Sequence, residues 1–399
     1  MKREILATMG GRVDLIIEQA TLSDIDELLA LYLSIYGDDY PLELGTKRPV
    51  MTKALSSPNE FLWMIMRDME KGVIAGSTII ELDLDFRIGK VTGVTTNKQY
   101  RGQSIASKLI AYSAKKVVHE EKLVNSLYAT SRTISKASQR MFLKNNFKPL
   151  GIFPNARKIK NYETLTLLGY FGEEVIEKRK PARKMPSFIK PIADAVCDAI
   201  SVEKVSEIFE QCPLSTKKKS GEDDSLEGGF EFISAPHFIN KRFDILFQDD
   251  DESVFYPFHK PNLLIASVTD ELEIYASFND KDHYCVLITA NQSISELGNR
   301  FKQLLFQMKD QGIYYVETLV RMDYFNVICF LAENKFLPAA VYPAMREEDG
   351  YMYDYVLMTR TMVPLDFSEM EIDESFKPYV TQYAKQWIHM NLAAVEEQL

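Results

Sequence analysis

Over residues 1–171 the spacing of apolar positions switches repeatedly between the two-residue period of a strand and the 3.6-residue period of a helix. The apolar-rich run Leu15–Ala20 predicts a strand. Ile25, Leu28, Leu29, Tyr32 and Ile35 then recur at helical spacing. Ser23, followed three residues later by Asp26, predicts a capping box that supplies an acceptor to orphan N–H groups of the first turn. Met51–Leu55 reads as a short helix. Phe61–Met66 and Val73–Asp83 read as strands, and Phe86–Gly89 as the turn before a strand Lys90–Thr96. A helix is expected from Ser104 to about Glu121, then a strand Ser126–Ser131 and a helix Ser135–Asn145. Two strands close the unit, near Leu150–Phe153 and Glu163–Leu168. The order β-α-α-β-β-β-α-β-α-β-β predicts an α/β fold of the mixed-sheet, α+β kind.

The texture changes at residues 172–228. The basic run Lys178-Arg179-Lys180 with Arg183-Lys184, four prolines and the polar stretch Ser215–Gly228 enclose one amphipathic helix, Pro191–Ile208. This predicts a helical linker with a flexible loop at its end, its basic run solvated rather than, as the alternative, touching phosphates. Beyond it the first pattern returns at an offset of 189 residues. Phe147-Lys148-Pro149-Leu150-Gly151-Ile152-Phe153-Pro154-Asn155-Ala156-Arg157 lines up with Phe336-Leu337-Pro338-Ala339-Ala340-Val341-Tyr342-Pro343-Ala344-Met345-Arg346. Arg132 matches Arg321, and Tyr162 matches Tyr351. Two copies of one fold are therefore expected. A strand Tyr284–Thr289 and a helix Ile294–Gln311 stand where the first copy has Lys90–Thr96 and Ser104–Glu121. Val380, Tyr383, Trp387 and Met390 form the apolar stripe of a last helix.

The length of 399 residues fits two or three domains. The net charge of −10 argues against general nucleic-acid binding. Its distribution is uneven: residues 1–171 carry 24 Lys and Arg against 18 Asp and Glu, and the remainder 23 against 39. A basic half suits an anionic cofactor and an acidic half a cationic substrate. No apolar run is long enough for a membrane span, and Met1-Lys2-Arg3-Glu4 opens no signal peptide, so a cytoplasmic protein is expected. Cys197, Cys212, Cys285 and Cys329 lack paired spacing and read as free thiols. The five histidines show no metal spacing, so no metal is expected.

The stretch that carries chemistry is Val91-Thr92-Gly93-Val94-Thr95-Thr96-Asn97-Lys98-Gln99-Tyr100-Arg101-Gly102-Gln103-Ser104-Ile105-Ala106. A strand ends in a turn of small residues that opens directly into a helix. Backbone N–H groups then converge at the positive end of the helix dipole, which suits a pyrophosphate, and Arg101 adds a positive charge. It is neither a Walker loop nor a Gly-x-Gly-x-x-Gly turn.

In this context the chain resembles the GNAT acetyltransferase superfamily. The family's Arg/Gln-x-x-Gly-x-Gly/Ala signature is matched by Arg101-Gly102-Gln103-Ser104-Ile105-Ala106, with Ser104 in place of the central glycine. Val94-Thr95-Thr96-Asn97 fits the family's fourth strand. Leu143–Phe147 fits its Tyr-x-x-x-Gly-Phe segment, with Asn146, tolerant of a left-handed conformation, in place of glycine. The resemblance implies two GNAT-like acyl-CoA N-acyltransferase folds in tandem, an arrangement known from mycothiol synthases. They are expected at residues 1–171 and 229–364, joined by a linker at 172–228 and followed by a C-terminal helix at 365–399. It implies acetyl-CoA as co-substrate, held by Val94, Thr95, Thr96, Arg101, Gly102, Gln103, Ser104, Ile105 and Ala106, with Ser135, Ser138 and Phe142 from the later helix.

Two departures from the family bear on mechanism. Phe142 stands where many members have a tyrosine general acid, and Ile88 stands near the position of a strand-four glutamate base. Direct aminolysis needs a neutral amine and a proton or water for the leaving thiolate, so Asp83, Asp85, Tyr128 and Tyr162 become the candidate catalytic groups. Gly151–Lys160 lies where acceptor loops often are in the family. In the second copy Ala290-Asn291-Gln292-Ser293-Ile294-Ser295 has neither arginine nor glycine, so only the first copy is expected to bind CoA. The second is left to pack against it, wall the acceptor cleft or form a homodimer. The expected activity is N-acetylation of a primary amine, a small cationic molecule. The alternatives are a CoA-binding sensor or pseudo-enzyme, or a protein acetyltransferase. No nucleic-acid or membrane partner is expected.

Overall fold

The computed structural model describes residues 4–5, 15–37, 42–204, 209–210, 212, 228–247 and 254–396. The polar stretch expected at Ser215–Gly228 lies outside these residues except for Gly228. The chain divides into two compact units. One comprises Met1–Thr130, Arg140–Lys148 and Leu168–Glu177, the other Ser131–Gln139, Pro149–Leu167 and Lys178–Leu399.

In the first unit β1 (Leu15–Gln19), β2 (Phe61–Asp68), β3 (Val73–Asp83) and β4 (Ile88–Thr96) form consecutive antiparallel pairs, with Ile17 opposite Met66, Trp63 opposite Ile79 and Ile80 opposite Val91. The β-branched content of these runs suits a pleated surface covered on both faces. On one face α1 (Ile25–Tyr36) and α2 (Arg48–Leu55) bury Leu28, Tyr32 and Met51 against Trp63, Ile65 and Ile79. The capping box lies two residues earlier than the sequence predicts: Thr21 N–H donates to Asp24 Oδ2 at 2.7 Å, ahead of a short turn that leads into α1. α3 (Ile105–Lys115) packs close to β3, where Gly76 makes room: a Cβ there would lie 2.5 Å from Ile105 Cγ2. The helix winds on in wider turns to Glu120. β5 (Ser126–Arg132) then pairs parallel with β4. α4 (Lys136–Lys144), β6 (Lys148–Lys158) and β7 (Tyr162–Phe171) follow, each contributing residues to both units.

In the second unit α5 spans Lys190–Ile200 and ends at Ser201 in a left-handed conformation, so it is shorter than the helix expected to reach Ile208. Then come β8 (Phe230–Ile233), α6 (Pro236–Leu246), β9 (Leu263–Ser267), β10 (Glu273–Asn279), β11 (Tyr284–Ala290) and α7 (Arg300–Asp310). β12 (Tyr315–Arg321), α8 (Phe325–Glu333), β13 (Leu337–Glu348), β14 (Tyr351–Thr361) and α9 (Lys377–Glu396) complete it. Its strands run in the order β6-β13-β14-β12-β11-β10-β9-β8. From β8 to β14 the element order repeats that from β1 to β7, apart from α2. Backbone irregularities recur with it. Asn146 and Lys335 are both left-handed, as are Asn155 and Ala344, each pair 189 residues apart, and so are Arg87 and His283, just ahead of β4 and β11.

Three expectations are corrected here. The segment Gly151–Lys160, placed by the family resemblance where acceptor loops often are, is strand as far as Lys158: β6 extends the strand expected near Leu150–Phe153, held by Asn155 Nδ2 to Pro364 O at 2.8 Å and by Lys158 N–H to Asp282 Oδ1 at 3.0 Å. The basic run is not wholly solvated: Arg179–Lys180 pairs with Met352–Tyr353 of β14, whereas the Lys178, Arg183 and Lys184 side chains are exposed. The four cysteines are not all free. Cys212 and Cys329 are joined as a disulfide, while Cys197 and Cys285 are buried thiols.

Candidate active site

β4 parts from β5 at a defined point. It pairs with β5 only at Ile88–Ser126, Gly89–Leu127 and Lys90–Tyr128. Val91–Thr96 continues past the last of these pairs, so the two strands part with Tyr128 at the vertex. On its other edge β4 carries an extra residue: Ile79 faces Thr92 but Ser77 faces Thr95, a β-bulge around Gly93 and Val94. Gly93 adopts φ +56°, and a Cβ there would lie 2.8 Å from Ile79 Cδ1. Glycine is needed on both counts. The bulge is pinned from α1: Tyr32 O–H donates to Gly93 O, and Tyr36 O–H donates to Val94 O at 3.0 Å. Trp63 Nε1 donates to Ser77 Oγ at 2.7 Å beneath it. The sequence reading missed Tyr32, although a lone glycine in a β-branched strand is a bulge signal.

Past β4, Asn97 caps a short turn through its Oδ1 to Gln99 N–H at 3.1 Å. Tyr100 is buried, and its hydroxyl donates to Asp68 at the end of β2. Burial would raise the Asp68 carboxyl, but the Tyr100 hydroxyl and the Lys71 and Glu70 N–H groups outweigh it, so Asp68 titrates below the ordinary carboxylate range. Burial, with Asp68 beside it, pushes the Tyr100 phenol up to about 12. Tyr100 thus ties down the turn immediately before Arg101–Ser104, all four of which are exposed. Gly102 has φ +80° with no atom within 4 Å of a built Cβ, so its role is conformational. Ser104, in the family's glycine position, is left-handed at φ +59° and makes no side-chain cap. The first backbone bond back into the helix runs from Lys108 N–H to Ser104 O, which leaves the preceding N–H groups aimed at the exposed turn. Exposed donors, the positive end of a helix dipole and an arginine form a fitting cradle for a pyrophosphate.

Tyr100→Phe is expected to cost about 2 kcal/mol, the value of a hydrogen bond to a buried charge. Asp68 is depressed in the folded state, so its contribution is present at neutral pH and fades as pH falls through the folded value. The difference between wild type and variant should therefore shrink below about pH 4. Urea unfolding at several pH values checks both the size and the sign.

The other candidates are dispersed. Asp85 is exposed at the β3–β4 turn, and Asp83 accepts Phe86 N–H at 3.0 Å, its carboxyl raised by burial. Both lie at the opposite end of β4 from the bulge. Phe142 is buried edge-on against Phe147 at 5.0 Å, a packing residue. Asn145 Nδ2 donates to Ser107 Oγ at 2.8 Å, tying the end of α4 to the first turn of α3. Ser135, Ser138 and Tyr162 belong to the second unit. There Ser138 bonds Ser131 at 2.6 Å, and Tyr162 packs edge-on against His283 with Lys158 over its face.

The repeated element order from β8 to β14 keeps the strand geometry and uses its polar groups differently. β11 and β12 also part, after Leu287–Thr318, around a cavity of about 360 Å³ that reaches Ile288, Val320 and Arg321. A glycine in a positive-φ conformation, Gly298, does precede α7, and the helix opens on an arginine, Arg300. The sequence comparison missed both because the repeat offset changes between the helix and β12. Arg300 is committed: it pairs with Asp270 and donates to Ser267 Oγ at 2.6 Å. Opposite Val286, 189 residues after Tyr128, Glu317 is buried and accepts the hydroxyls of Tyr256, Tyr284 and Tyr315. Burial raises its carboxyl despite these donors.

Residues 25–147 match the family model of the acetyltransferase (GNAT) family, a span that takes in α1, the bulge, the Arg101–Ala106 turn and α4. This segment is a GNAT acetyltransferase domain, and the protein that carries it is an acyltransferase. Among similar solved structures is the ribosomal-protein-S5-alanine acetyltransferase from Vibrio fischeri, at 14% identity over 40% of this chain and 94% of that one, TM-score 0.35. Another is a GNAT-family acetyltransferase from Streptococcus pneumoniae, at 21% over 40% and 99%, TM-score 0.34. A third is the ribosomal-protein-alanine N-acetyltransferase from Brucella melitensis, at 19% over 39% and 98%, TM-score 0.34. No curated protein matches the chain. Among the described residues no helix is long and apolar enough to cross a membrane, and no group of three or more His, Cys, Asp or Glu could hold a metal ion.

Proposed function

We propose that this protein transfers an acetyl group from acetyl-CoA to a primary amine, a small cationic molecule, by direct attack, and that the chain is two GNAT-like folds in tandem of which only the first holds the cofactor. The observation that carries the reading is the parting of β4 from β5 beside the pinned Gly93 bulge, next to the exposed Arg101–Ser104 turn. Arg101 and the first N–H groups of α3 would hold the pyrophosphate. Bound acetyl-CoA would supply a thioester carbonyl as the electrophile. Backbone N–H groups of Val94–Thr96 are the donors for its oxygen, in a strand segment that α1 keeps rigid. Tyr128, at the vertex, is the group we assign to hold a proton for the leaving sulfur. The excess of acidic residues beyond residue 171 favours a cationic acceptor.

The test is release of CoA thiol from acetyl-CoA in the presence of a panel of primary amines. Thiol release that depends on a cationic amine supports the reading, whereas acetyl-CoA binding with no release from any amine makes the protein a CoA sensor. Tyr128→Phe is expected to lower kcat about tenfold, because water can partly replace the phenol, with little change in the KM for acetyl-CoA. Unchanged kcat removes Tyr128 from the mechanism.

A further inference from the structure

The basic run that the sequence reads as linker is built into the second unit. Arg179 commits its guanidinium to Asp354 at 2.7 Å, with the two side chains 7% and 1% exposed. Ala344 N–H also donates to Asp354 Oδ1, at 2.9 Å. This pair is charge-neutral, and with the strand pairing to Met352–Tyr353 it fixes the backbone of the run. The cations that follow, Lys180, Arg183 and Lys184, then line a cavity of about 390 Å³ together with Arg321 and Tyr353.

Aromatic faces hold three of these four cations in place, Lys180, Lys184 and Arg321. Lys180 Nζ lies 4.6 Å from the ring centre of Tyr351 and 5.4 Å from that of Tyr353, and Lys184 Nζ lies 4.3 Å from that of Phe325. The Arg321 guanidinium stands 4.7 Å from the Tyr353 ring centre. Lys180 Nζ donates to Tyr353 Oη at 3.2 Å, so the phenol keeps its own proton to donate elsewhere. Two carboxylates also reach the cavity, and each is already engaged: Asp354 by Arg179, and Asp323 by Arg321, whose other partner is Glu348. Among the described residues of the lining, four cations stand against two carboxylates, a positive balance. It stands in a part of the chain where acidic residues outnumber basic ones 39 to 23.

We propose that this cavity binds a phosphate-bearing anion, at a site separate from the cofactor turn of the first unit. The chemistry is that of phosphate recognition: guanidinium and ammonium donors, a phenol donor and a concave wall. The proposal does not depend on acetyl transfer.

The probe is inorganic pyrophosphate, titrated calorimetrically into the full-length chain carrying Arg101→Glu, which blocks the cofactor turn. The same titration is repeated with Arg183→Glu and Lys184→Glu added. One pyrophosphate per chain is expected, with affinity falling at least ~10-fold in the triple variant and also falling as salt is raised. Arg183 and Lys184 are exposed, so the melting temperature should fall by no more than a few degrees, the cost of the Lys184 contacts such as that with Phe325. Arg183→Gln with Lys184→Gln serves if the charge reversals disturb folding. A second arm uses vesicles containing phosphatidic acid. Pyrophosphate binding without sedimentation on vesicles assigns a soluble ligand, and sedimentation lost in the triple variant assigns a lipid headgroup. Absence of pyrophosphate binding to the Arg101→Glu chain, or equal binding by the triple variant, overturns the proposal.

Discussion

Gly151→Val is expected to lower stability by about 3 kcal/mol or more, at the upper end of what overpacking costs. β6 meets β13 antiparallel at Gly151 and Ala340, residues that are equivalent in the 189-residue repeat. The strands come so close that a Cβ on residue 151 would lie 2.3 Å from Ala340 Cβ and 2.4 Å from Ala339 O. Backbone atoms are among the obstacles, so rotamer changes cannot relieve the clash. Gly151→Ala should already be destabilising, with the branched valine worse. Gly102→Ala is the contrast, because nothing lies within 4 Å of a Cβ there and its cost is the positive φ alone, about 1 kcal/mol. Urea midpoints for the three variants decide the matter. A Gly151→Val midpoint equal to wild type would mean that β6 and β13 do not meet at this residue.

The strands and helices of the first copy were legible because each buries one face and so imposes a period of 2 or 3.6 on its residues. The Arg101–Ala106 turn was legible as a strand-to-helix turn because its requirements are local: small residues, a cation and a helix start within six residues. What pins it was not. Tyr32 reaches Gly93 across 61 residues and Tyr100 reaches Asp68 across 32, and nothing in the spacing of an apolar helix face says that its tyrosine spends a hydroxyl on a strand carbonyl. Gly151 falls in the strand expected near Leu150–Phe153, but the continuation of that strand through Pro154 and Asn155 is hidden because those residue types favour turns. The three stand in a strand because Gly151 must admit a neighbouring backbone, and because Asn155, left-handed, uses its amide to bond Pro364 O and Asp366 N–H. The Cys212–Cys329 pair joins residues 117 apart in sequence, a distance at which spacing carries no information about pairing.

Arg101→Glu is expected to weaken acetyl-CoA binding roughly 100-fold, close to 3 kcal/mol, because it removes a charge-assisted hydrogen bond and sets a carboxylate against the pyrophosphate. Arg101 is exposed, so the melting temperature without ligand should stay within about 1 °C of wild type. That separation of binding from stability distinguishes a ligand-holding arginine from a structural one. Arg300→Glu is the matched control in the second copy. Arg300 already holds Asp270 and Ser267, so its reversal should lower stability while leaving acetyl-CoA affinity and stoichiometry unchanged. Calorimetric titration reads all of these quantities at once. One acetyl-CoA per chain, lost with Arg101→Glu and kept with Arg300→Glu, is the result expected of a single working copy. Two per chain would show that Gly298 and the parted β11–β12 pair still serve a cofactor. Full affinity in Arg101→Glu would remove the α3 turn from the binding site altogether.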